Sequence, residues 1–369
     1  MIEYKEAMER ALELARRGTG YVSPNPRVGA VILNKNGEKV SEGWHKSFGG
    51  LHAEVEAINA SKIKSFEGYT LVVNLEPCVH KGKTPPCADL IITKKFTRVV
   101  IGTLDPNPLV AGKGVEKLKN AGIEVITGVL EPECYEINRN FFKYITKNQA
   151  YITLKVAQSI DGNIALRNGQ SKWLTSEESR YAVQVLRSES DAILVGKNTV
   201  LMDNPFLTVR ELDLPSPKKV ILDSTLSLPL DLNIFKNGDR DNTILFCNEK
   251  AIDSRKAKTL SLAGVHIEPL SADTPGYLNL KDVIDVLTKK YNLTSVLVEG
   301  GSQIFSNFIK EKLVDEIHLF VAPIIVGEGI QSFRNLNFSA LSQAPQIKVT
   351  KSENIGSDFH IVGTINFQN

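Results

Sequence analysis

Helical and strand patterns alternate along the chain. Near the N-terminus, Met8, Ala11, Leu12 and Ala15 recur at helical spacing among charged residues, which predicts a helix over Ile2–Arg17. The remaining elements expected in this half are strands at Val28–Leu33, Leu71–Leu75 and Arg98–Ile101, helices at Ala53–Ile63, Cys87–Lys95 and Glu131–Thr146, and a helix–strand pair over Val115–Val125. This alternation indicates an α/β layered domain.

The pattern restarts after the short polar segment Lys147-Asn148-Gln149, which predicts two domains, residues 1–147 and 148–369. Thr175-Ser176-Glu177-Glu178 matches a capping box at a helix start. The elements expected in the second half are strands at Tyr151–Val156, Ala192–Val195, Lys219–Leu222, Thr243–Phe246 and Val296–Val298, and helices at Glu177–Ser188, Asp282–Tyr291 and Gln303–Lys310. The second domain is therefore also expected to be α/β.

Composition narrows the class of protein. The chain has 369 residues, of which 42% are hydrophobic and 23% charged, with a formal net charge of +2. The near-balance of charge argues against nucleic acid or an anionic membrane as a partner. The charged N-terminus does not resemble a secretory signal, and no apolar run approaches the roughly 20 residues that span a bilayer. We expect a cytoplasmic protein whose four cysteines form no disulfide framework.

Two of the cysteines belong to a cluster of metal-binding type. His52-Ala53-Glu54 is followed by Glu76-Pro77-Cys78 and by Pro85-Pro86-Cys87. One imidazole and two thiolates suit Zn²⁺ and leave the fourth tetrahedral position open for water. Zinc lowers the pKa of that water, and Glu54 is placed to take its proton and deliver it to a ring nitrogen and to departing ammonia. The sequence therefore predicts one zinc ion held by His52, Cys78 and Cys87, with Glu54 as the catalytic group.

The spacing departs from the general signature of zinc deaminases, H-x-E with P-C-x-x-C, which we match here rather than derive. Eight residues, Val79 to Pro86, separate the cysteines. His80, Lys81 or Lys83 in this insertion could contact a substrate phosphate, and His80 is a less favoured metal ligand. Asn25, in the Ser23–Pro26 turn, is equally well a turn residue or a donor to the substrate ring. The isolated Cys134 and Cys247 are expected to be buried.

On these motifs the chain resembles the bifunctional pyrimidine deaminase/reductase family of riboflavin biosynthesis. In the first half the resemblance rests on Ser23-Pro-Asn-Pro-Arg-Val-Gly-Ala-Val, on His52-Ala-Glu54 and on Pro77-Cys-Val-His-Lys-Gly-Lys-Thr-Pro-Pro-Cys87, whose eight-residue spacer is a feature of this family. In the second half it rests on Lys155-Val-Ala-Gln-Ser-Ile-Asp-Gly162, Ser171-Lys-Trp-Leu-Thr175, Asp203-Asn-Pro205, Leu207-Thr-Val-Arg210 and Val298-Glu-Gly-Gly301.

The resemblance implies a cytidine-deaminase-like three-layer domain followed by a dihydrofolate-reductase-like α/β domain that uses NADPH. It implies that 2,5-diamino-6-ribosylamino-4(3H)-pyrimidinone 5′-phosphate loses its C2 amino group and that the ribosyl group is then reduced to ribityl. The implied NADPH contacts are Ala157, Trp173, Thr199, Asp203, Ser224, Gly300, Gly301, Ser302, Gln303, Ile304 and Phe305. The implied substrate contacts are Ser171, Arg187, Leu207, Arg210 and Glu299, in addition to Asn25. We also expect a homo-oligomer.

Without the resemblance the second half is less informative. No G-x-G-x-x-G follows a strand, and Gly300-Gly301 before a helix is either a phosphate cradle or an ordinary tight turn. Asp203 is the most plausible polar group to orient or protonate a substrate. Two other functions stay open: a deaminase of tRNA adenosine with an RNA-binding domain, and a structural zinc module with four protein ligands and a binding domain.

Overall fold

The computed structural model describes residues 4–79, 85–107, 110–236, 240–271 and 277–367. The chain divides into two compact units, Met1–Gln149 and Ala150–Asn369. No helix among the described residues is both long and apolar enough to cross a membrane.

The first unit is a five-stranded sheet with helices on both faces. Its elements are α1 (Lys5–Arg16), β1 (Gly29–Leu33), β2 (Lys39–Trp44), α2 (Ala53–Ser61), β3 (Thr70–Leu75), α3 (Cys87–Thr93), β4 (Arg98–Thr103), α4 (Lys113–Asn120), β5 (Glu124–Thr127), α5 (Glu131–Ile137) and α6 (Arg139–Lys147). The strand order is β2-β1-β3-β4-β5. The ladders from β3 through β5 are parallel, and β1 is antiparallel to both of its neighbours.

Two apolar cores, one on each face of this sheet, confirm the expected three-layer fold. Ile32 and Val73 pack with the helices α2, α3 and α4, whereas Val31 and Val72 pack with α1 and α5. Neighbouring residues of a strand point to opposite faces, so each strand serves both cores. All of β1 and β3 is consequently buried, as a sheet covered on both sides requires.

In the first unit, the sequence-based prediction missed one strand and was wrong about one helix. The strand β2 was not predicted. The helix expected over Glu131–Thr146 is two helices separated at Asn138, whose φ of −117° is not helical. The Asn138 side chain accepts a hydrogen bond from the backbone N–H of Arg27 (2.7 Å) and donates one to its carbonyl (2.9 Å). Because this bonding ties the residue to the loop before β1, the helix is interrupted there.

The second unit contains a nine-stranded sheet ordered β11-β10-β9-β8-β12-β6-β13-β16-β15 and a two-stranded sheet of β14 and β7. Its strands are β6 (Tyr151–Ser159), β7 (Asn163–Leu166), β8 (Ala192–Gly196), β9 (Lys218–Leu222), β10 (Thr243–Asn248), β11 (His266–Leu270), β12 (Ser295–Val298), β13 (Glu316–Ala322), β14 (Gly329–Gln331), β15 (Gln346–Ile355) and β16 (Asp358–Asn366). Its α-helices are α7 (Glu177–Ser188), α8 (Lys197–Asp203), α9 (Arg255–Leu262), α10 (Leu280–Lys289) and α11 (Ser302–Lys310).

The large sheet is parallel from β11 to β13 and antiparallel in its last two ladders. One face packs on α10 and α11, where Phe308 is fully buried, and the other packs on α9. The start of α7 differs in detail from the predicted capping box. Ser176 is the N-cap, and its Oγ accepts from the backbone N–H of Ser179, so a serine and not a glutamate occupies the third helical position.

Candidate functional site

The predicted zinc ligands lie where helices on one face of the first sheet begin. His52 is the N-cap residue of α2, Cys87 is the first residue of α3, and Cys78 follows β3. The two helices share one apolar core against the sheet, so their N-termini come together near the end of β3. The fold therefore brings together groups separated by 35 residues in sequence.

The three ligand atoms form a compact group. The Nδ1 atom of His52 lies 3.2 Å from the Sγ of Cys87 and 3.6 Å from the Sγ of Cys78. These three ligand atoms all lie within 4.8 Å of one another. Among the described residues, His52, Cys78 and Cys87 are therefore a group of side chains that could hold a metal ion. One nitrogen and two sulfurs at such separations suit a tetrahedral Zn²⁺ with one open position.

The surroundings shift the pKa values of the two cysteine thiols in opposite directions. Hydrogen bonding from the Cys87 thiol, with the His52 imidazole nearby, holds the pKa of the Cys78 thiol at about 4. The Cys78 thiolate and burial raise the pKa of the Cys87 thiol. The backbone N–H of Cys87 also donates to the Cys78 sulfur at 3.4 Å. Cys78 is therefore the more readily ionised of the two thiols, and a bound metal would hold both as thiolates.

Glu54 lies in the first turn of α2 and is 3% exposed. Burial raises the pKa of its carboxyl, since a charged carboxylate is poorly solvated there. A cation nearby would favour the charged form. Glu54 is therefore a buried acid–base group next to the ligand set, in contact with Cys87.

Asn25 is linked to the zinc ligand His52 by His45, a residue for which the sequence suggested no functional role. Its Nδ2 lies 3.0 Å from the Nε2 of His45, and the Nδ1 of His45 lies 2.9 Å from the carbonyl oxygen of Leu51. The His45 ring packs edge-on against His52, with 5.7 Å between ring centroids. Nothing in its sequence neighbourhood singled out His45, because its side-chain partner Asn25 lies 20 residues earlier in a separate loop.

Glu76 is a second residue whose role the sequence did not reveal. Its buried carboxylate accepts hydrogen bonds from the backbone N–H groups of four residues, at 2.8 to 3.2 Å. The four donors are Asp105, Gly112, Gly114 and Val115. Glu76 lies two residues before Cys78. Its hydrogen bonds thus hold the loop after β4 and the start of α4 against the segment that contains this ligand. His80, Lys81 and Lys83, the predicted phosphate contacts, lie outside the described residues.

A cleft of about 1140 Å³ in the second unit brings together every residue of this unit predicted to bind NADPH or substrate. The lining includes Ala157, Ser171, Trp173, Arg187, Thr199, Asp203, Leu207, Arg210, Ser224, Glu299, Gly300, Gly301, Ser302, Gln303, Ile304 and Phe305. The cleft lies at the carboxyl ends of β8, β9 and β12, the usual binding edge of a parallel sheet. The contacts between these residues and a ligand stay predictions.

The glycine turn before α11 fits a dinucleotide. Gly301 is the N-cap of this nine-residue helix, and its backbone N–H donates to the Thr199 hydroxyl at 3.1 Å. A Cβ at Gly300 would lie 3.0 Å from the Cβ of Ile304. The buried Oγ of Ser302 has no hydrogen-bond partner among the described residues. A helix N-terminus without a side-chain cap, next to a hydroxyl without a hydrogen-bond partner, can accommodate a phosphate.

An ion cluster of three side chains lies at the end of β12. Arg187 donates from Nε and Nη2 to the two carboxylate oxygens of Glu299, at 2.7 and 2.9 Å, and the Nζ of Lys155 lies 3.3 Å from the same carboxylate. Burial raises the pKa of the Glu299 carboxyl, but the two cations outweigh it and lower this pKa to about 2. Two cations against one anion leave a net positive charge, which suits an anionic ligand. Lys155 was missed as a site residue because only the fold places it beside Glu299.

The Asp203 carboxyl differs from that of Glu299 in the direction of its pKa shift. Burial raises the pKa of its carboxyl, while Lys172 and Lys155 oppose the shift. The role of Asp203 in orienting or protonating the substrate stays a prediction.

Models of known protein families match both units. The model of the cytidine and deoxycytidylate deaminase zinc-binding region matches residues 1–103, and that of the RibD C-terminal domain matches residues 150–361. The riboflavin biosynthesis protein RibD of Aquifex aeolicus is 44% identical over 97% of each chain, and that of Escherichia coli is 37% identical over 96% of this chain and 98% of its own.

Solved structures agree over the full length. A diaminohydroxyphosphoribosylaminopyrimidine deaminase/5-amino-6-(5-phosphoribosylamino)uracil reductase from Thermotoga maritima has a TM-score of 0.87 and 40% identity, covering 99% of each chain. RibD of Acinetobacter baumannii has a TM-score of 0.87 and 35% identity with the same coverage. The chain therefore belongs to the RibD family of riboflavin biosynthesis proteins, and it joins a deaminase domain with a zinc-binding region to a RibD C-terminal reductase domain.

Proposed function

We propose that the first unit removes the C2 amino group of 2,5-diamino-6-ribosylamino-4(3H)-pyrimidinone 5′-phosphate by hydrolysis, and that the second unit reduces the ribosyl group of the product to ribityl. The observation that carries the proposal is the group of His52, Cys78 and Cys87 with the buried Glu54 beside it. The name of the Thermotoga maritima relative, which contains both reactions, supports it.

In the deaminase, His52, Cys78 and Cys87 would hold one Zn²⁺, which supplies a water activated as a nucleophile at neutral pH. Glu54 would move two protons in turn: one from that water to the ring nitrogen, and one from the hydroxyl then on C2 to the amino group, which leaves as ammonia while C2 becomes a carbonyl. Its burial supports this role, because a carboxyl whose neutral form is favoured gives up and regains a proton readily. Asn25 would hydrogen-bond the substrate ring.

In the reductase, NADPH would supply the hydride, while the chain binds and orients both ligands. The turn at Gly300 and Gly301 and the hydroxyls of Thr199 and Ser302 would hold the cofactor phosphates. The other NADPH contacts proposed are Ala157, Trp173, Asp203, Ser224, Gln303, Ile304 and Phe305.

The ion cluster supports a division of labour among the substrate residues. The Arg187 guanidinium is bonded to Glu299 and to the carbonyl of Thr208, so it would orient Glu299 toward the ribose. The Arg210 guanidinium has no ion-pair partner among the described residues and would bind the substrate phosphate. Hydride addition at C1 of the ribosyl group breaks the bond from C1 to the ring oxygen, and the Lys155 ammonium would donate the proton that this oxygen takes up. Ser171 and Leu207 would complete the substrate contacts.

The proposal includes two further properties, assembly as a homo-oligomer and a cytoplasmic location. They come from the family resemblance and from the sequence. Light scattering of the purified chain and fractionation of cells test them directly.

The experiment that tests the function is incubation of the zinc-loaded chain with the diaminopyrimidinone phosphate. Ammonia is measured with and without NADPH, and cofactor absorbance is followed separately. We expect ammonia in both cases and cofactor oxidation only after deamination. Ammonia release that requires NADPH, or no ammonia at all, would contradict the proposal.

A further inference from the structure

Three groups, Asn25, His45 and the carbonyl of Leu51, form a hydrogen-bonded chain beside the zinc ligand His52. We propose that His45 is a positioning residue of the deaminase: it fixes the amide of Asn25 so that Oδ1 faces the substrate as a hydrogen-bond acceptor. This inference rests on the proposed function, since it deepens substrate recognition at the same site.

The first step is the tautomer of His45. Its Nδ1 lies 2.9 Å from the Leu51 carbonyl oxygen, which can only accept, so Nδ1 must carry the hydrogen. In a neutral imidazole the other nitrogen then has a lone pair and must accept. The atom that faces Nε2 is the Nδ2 of Asn25, which can only donate. The Nε2 of His45 is therefore an acceptor.

The second step is the orientation of Asn25. An acceptor at 3.0 Å requires the Asn25 amide to turn its NH₂ group toward His45, because its oxygen there would place two lone pairs together. The Oδ1 atom is consequently directed away from His45. It has no hydrogen-bond partner among the described residues, and the side chain is only partly buried. Asn25 thus presents a fixed acceptor that the chain itself does not use.

The third step is the rigidity of the frame. The backbone N–H of His45 donates to the carbonyl of Val28 at 2.9 Å, and that of Phe48 donates to the carbonyl of Tyr21 at 3.0 Å. These bonds join the loop containing Asn25 to the turn after β2. His45 is 4% exposed and its ring packs against that of His52. The Asn25 amide is therefore held in a fixed orientation relative to the zinc ligand His52.

The chemistry of the ligand follows. In a 2-aminopyrimidinone one ring atom next to the amino-bearing carbon is an N–H, whereas cytosine has a C–H beside its amino-bearing carbon and a lone-pair nitrogen on the other side. A fixed acceptor favours the ring that offers the N–H and leaves cytosine unmatched. His45 would therefore help select an aminopyrimidinone over a cytosine ring.

The test compares Asn25→Ala, His45→Leu and the double variant in ammonia release from the diaminopyrimidinone phosphate. Each single substitution should lower kcat/KM about 10- to 100-fold, because one hydrogen bond to the ring is lost or misdirected. The double variant should match Asn25→Ala within about twofold, since His45 acts only through Asn25. His45→Gln, which keeps an acceptor, should retain more activity than His45→Leu.

Zinc content and NADPH oxidation with the deaminated product should stay at the wild-type level in all these variants. Ser41→Ala is the matched control, because Ser41 is buried on β2, just before the turn that contains His45, and its hydroxyl donates to the carbonyl of Ala57. Wild-type activity in His45→Leu, or a further full loss in the double variant, would overturn the inference.

Loss of zinc from both His45→Leu and His45→Gln would also overturn it, because His45 would then support His52 and not Asn25. If the wild-type chain itself releases no ammonia, the failure lies in the proposed function.

Discussion

The two sites of this chain balance their charges in opposite ways. In the deaminase, His52, Cys78 and Cys87 form a group that could hold a metal ion, and burial raises the pKa of the Glu54 carboxyl beside it. In the reductase, Arg187 and Lys155 already hold Glu299 as an anion. The comparison teaches that one site depends on metal loading, whereas the other is organised by the chain alone.

The largest effect is expected from Cys87→Ser. A serine is a poor zinc ligand, so zinc should fall far below one per chain and deamination should fall to the uncatalysed background. NADPH oxidation with the deaminated product should persist. Metal analysis and the two assays measure this. Cys247→Ala removes a buried cysteine of the second unit and should leave zinc unchanged; loss of zinc there would point to a different ligand set.

Arg187→Ala should leave the buried Glu299 carboxylate of the reductase site with Lys155 as its remaining cation in the ion cluster. Deleting one partner of a buried ion pair leaves the other charge uncompensated, so the free energy of unfolding of this unit should fall by about 3–5 kcal/mol. Urea denaturation followed by far-UV circular dichroism measures it, because this signal does not depend on the activity of the altered site. Arg167→Ala breaks an exposed pair with Glu328 and should cost under about 1 kcal/mol. Equal costs for the two variants would contradict the comparison.

The same ion cluster gives a pH dependence. The folded pKa of Glu299 is about 2, below its ordinary value of 4.5. Its stabilisation is therefore fully present above pH 4.5 and is lost as the pH falls through 4.5 toward 2. The lost stabilisation is about 3 kcal/mol. Denaturation curves of the wild type and of Glu299→Gln should converge over this window, and parallel curves would exclude the effect.

Ser302→Ala should have the smallest effect. Its buried hydroxyl lacks a partner among the described residues, so its removal should leave stability unchanged or slightly raised. The KM for NADPH should rise about 3- to 10-fold, because one phosphate hydrogen bond is lost. Steady-state kinetics and thermal melting separate the two results. An unchanged KM would show that this hydroxyl does not bind the cofactor.

The zinc ligands could be predicted from sequence because metal chemistry restricts residue types at short spacing, as at His52, Cys78 and Cys87. Arg187 and Arg210 were predicted as substrate contacts through family resemblance, since an arginine on a helix or after a strand usually lies at the surface. Lys155 and His45 were missed because their partners, Glu299 and Asn25, are distant or belong to another loop. No local pattern marks such pairs.

Some strands escaped prediction for a packing reason. In β2 the buried inward positions are Ser41 and Gly43, which are not apolar. A Cβ at Gly43 would lie 2.4 Å from the backbone nitrogen of Ala57, so the helix α2 requires a glycine there. The strand β15 is exposed along most of its length and shows no apolar alternation. Hydrophobic periodicity identifies a strand only when its core face is apolar.

The most direct test of the central claim, two separate sites in one chain, is Glu54→Gln. Glutamine keeps the shape of the side chain but cannot move a proton. We expect zinc to stay near one per chain, ammonia release to fall about 10²- to 10⁴-fold, and NADPH oxidation with the deaminated product to continue at the wild-type rate. Ammonia release within a few-fold of wild type, or loss of both activities in a folded chain, would contradict the account.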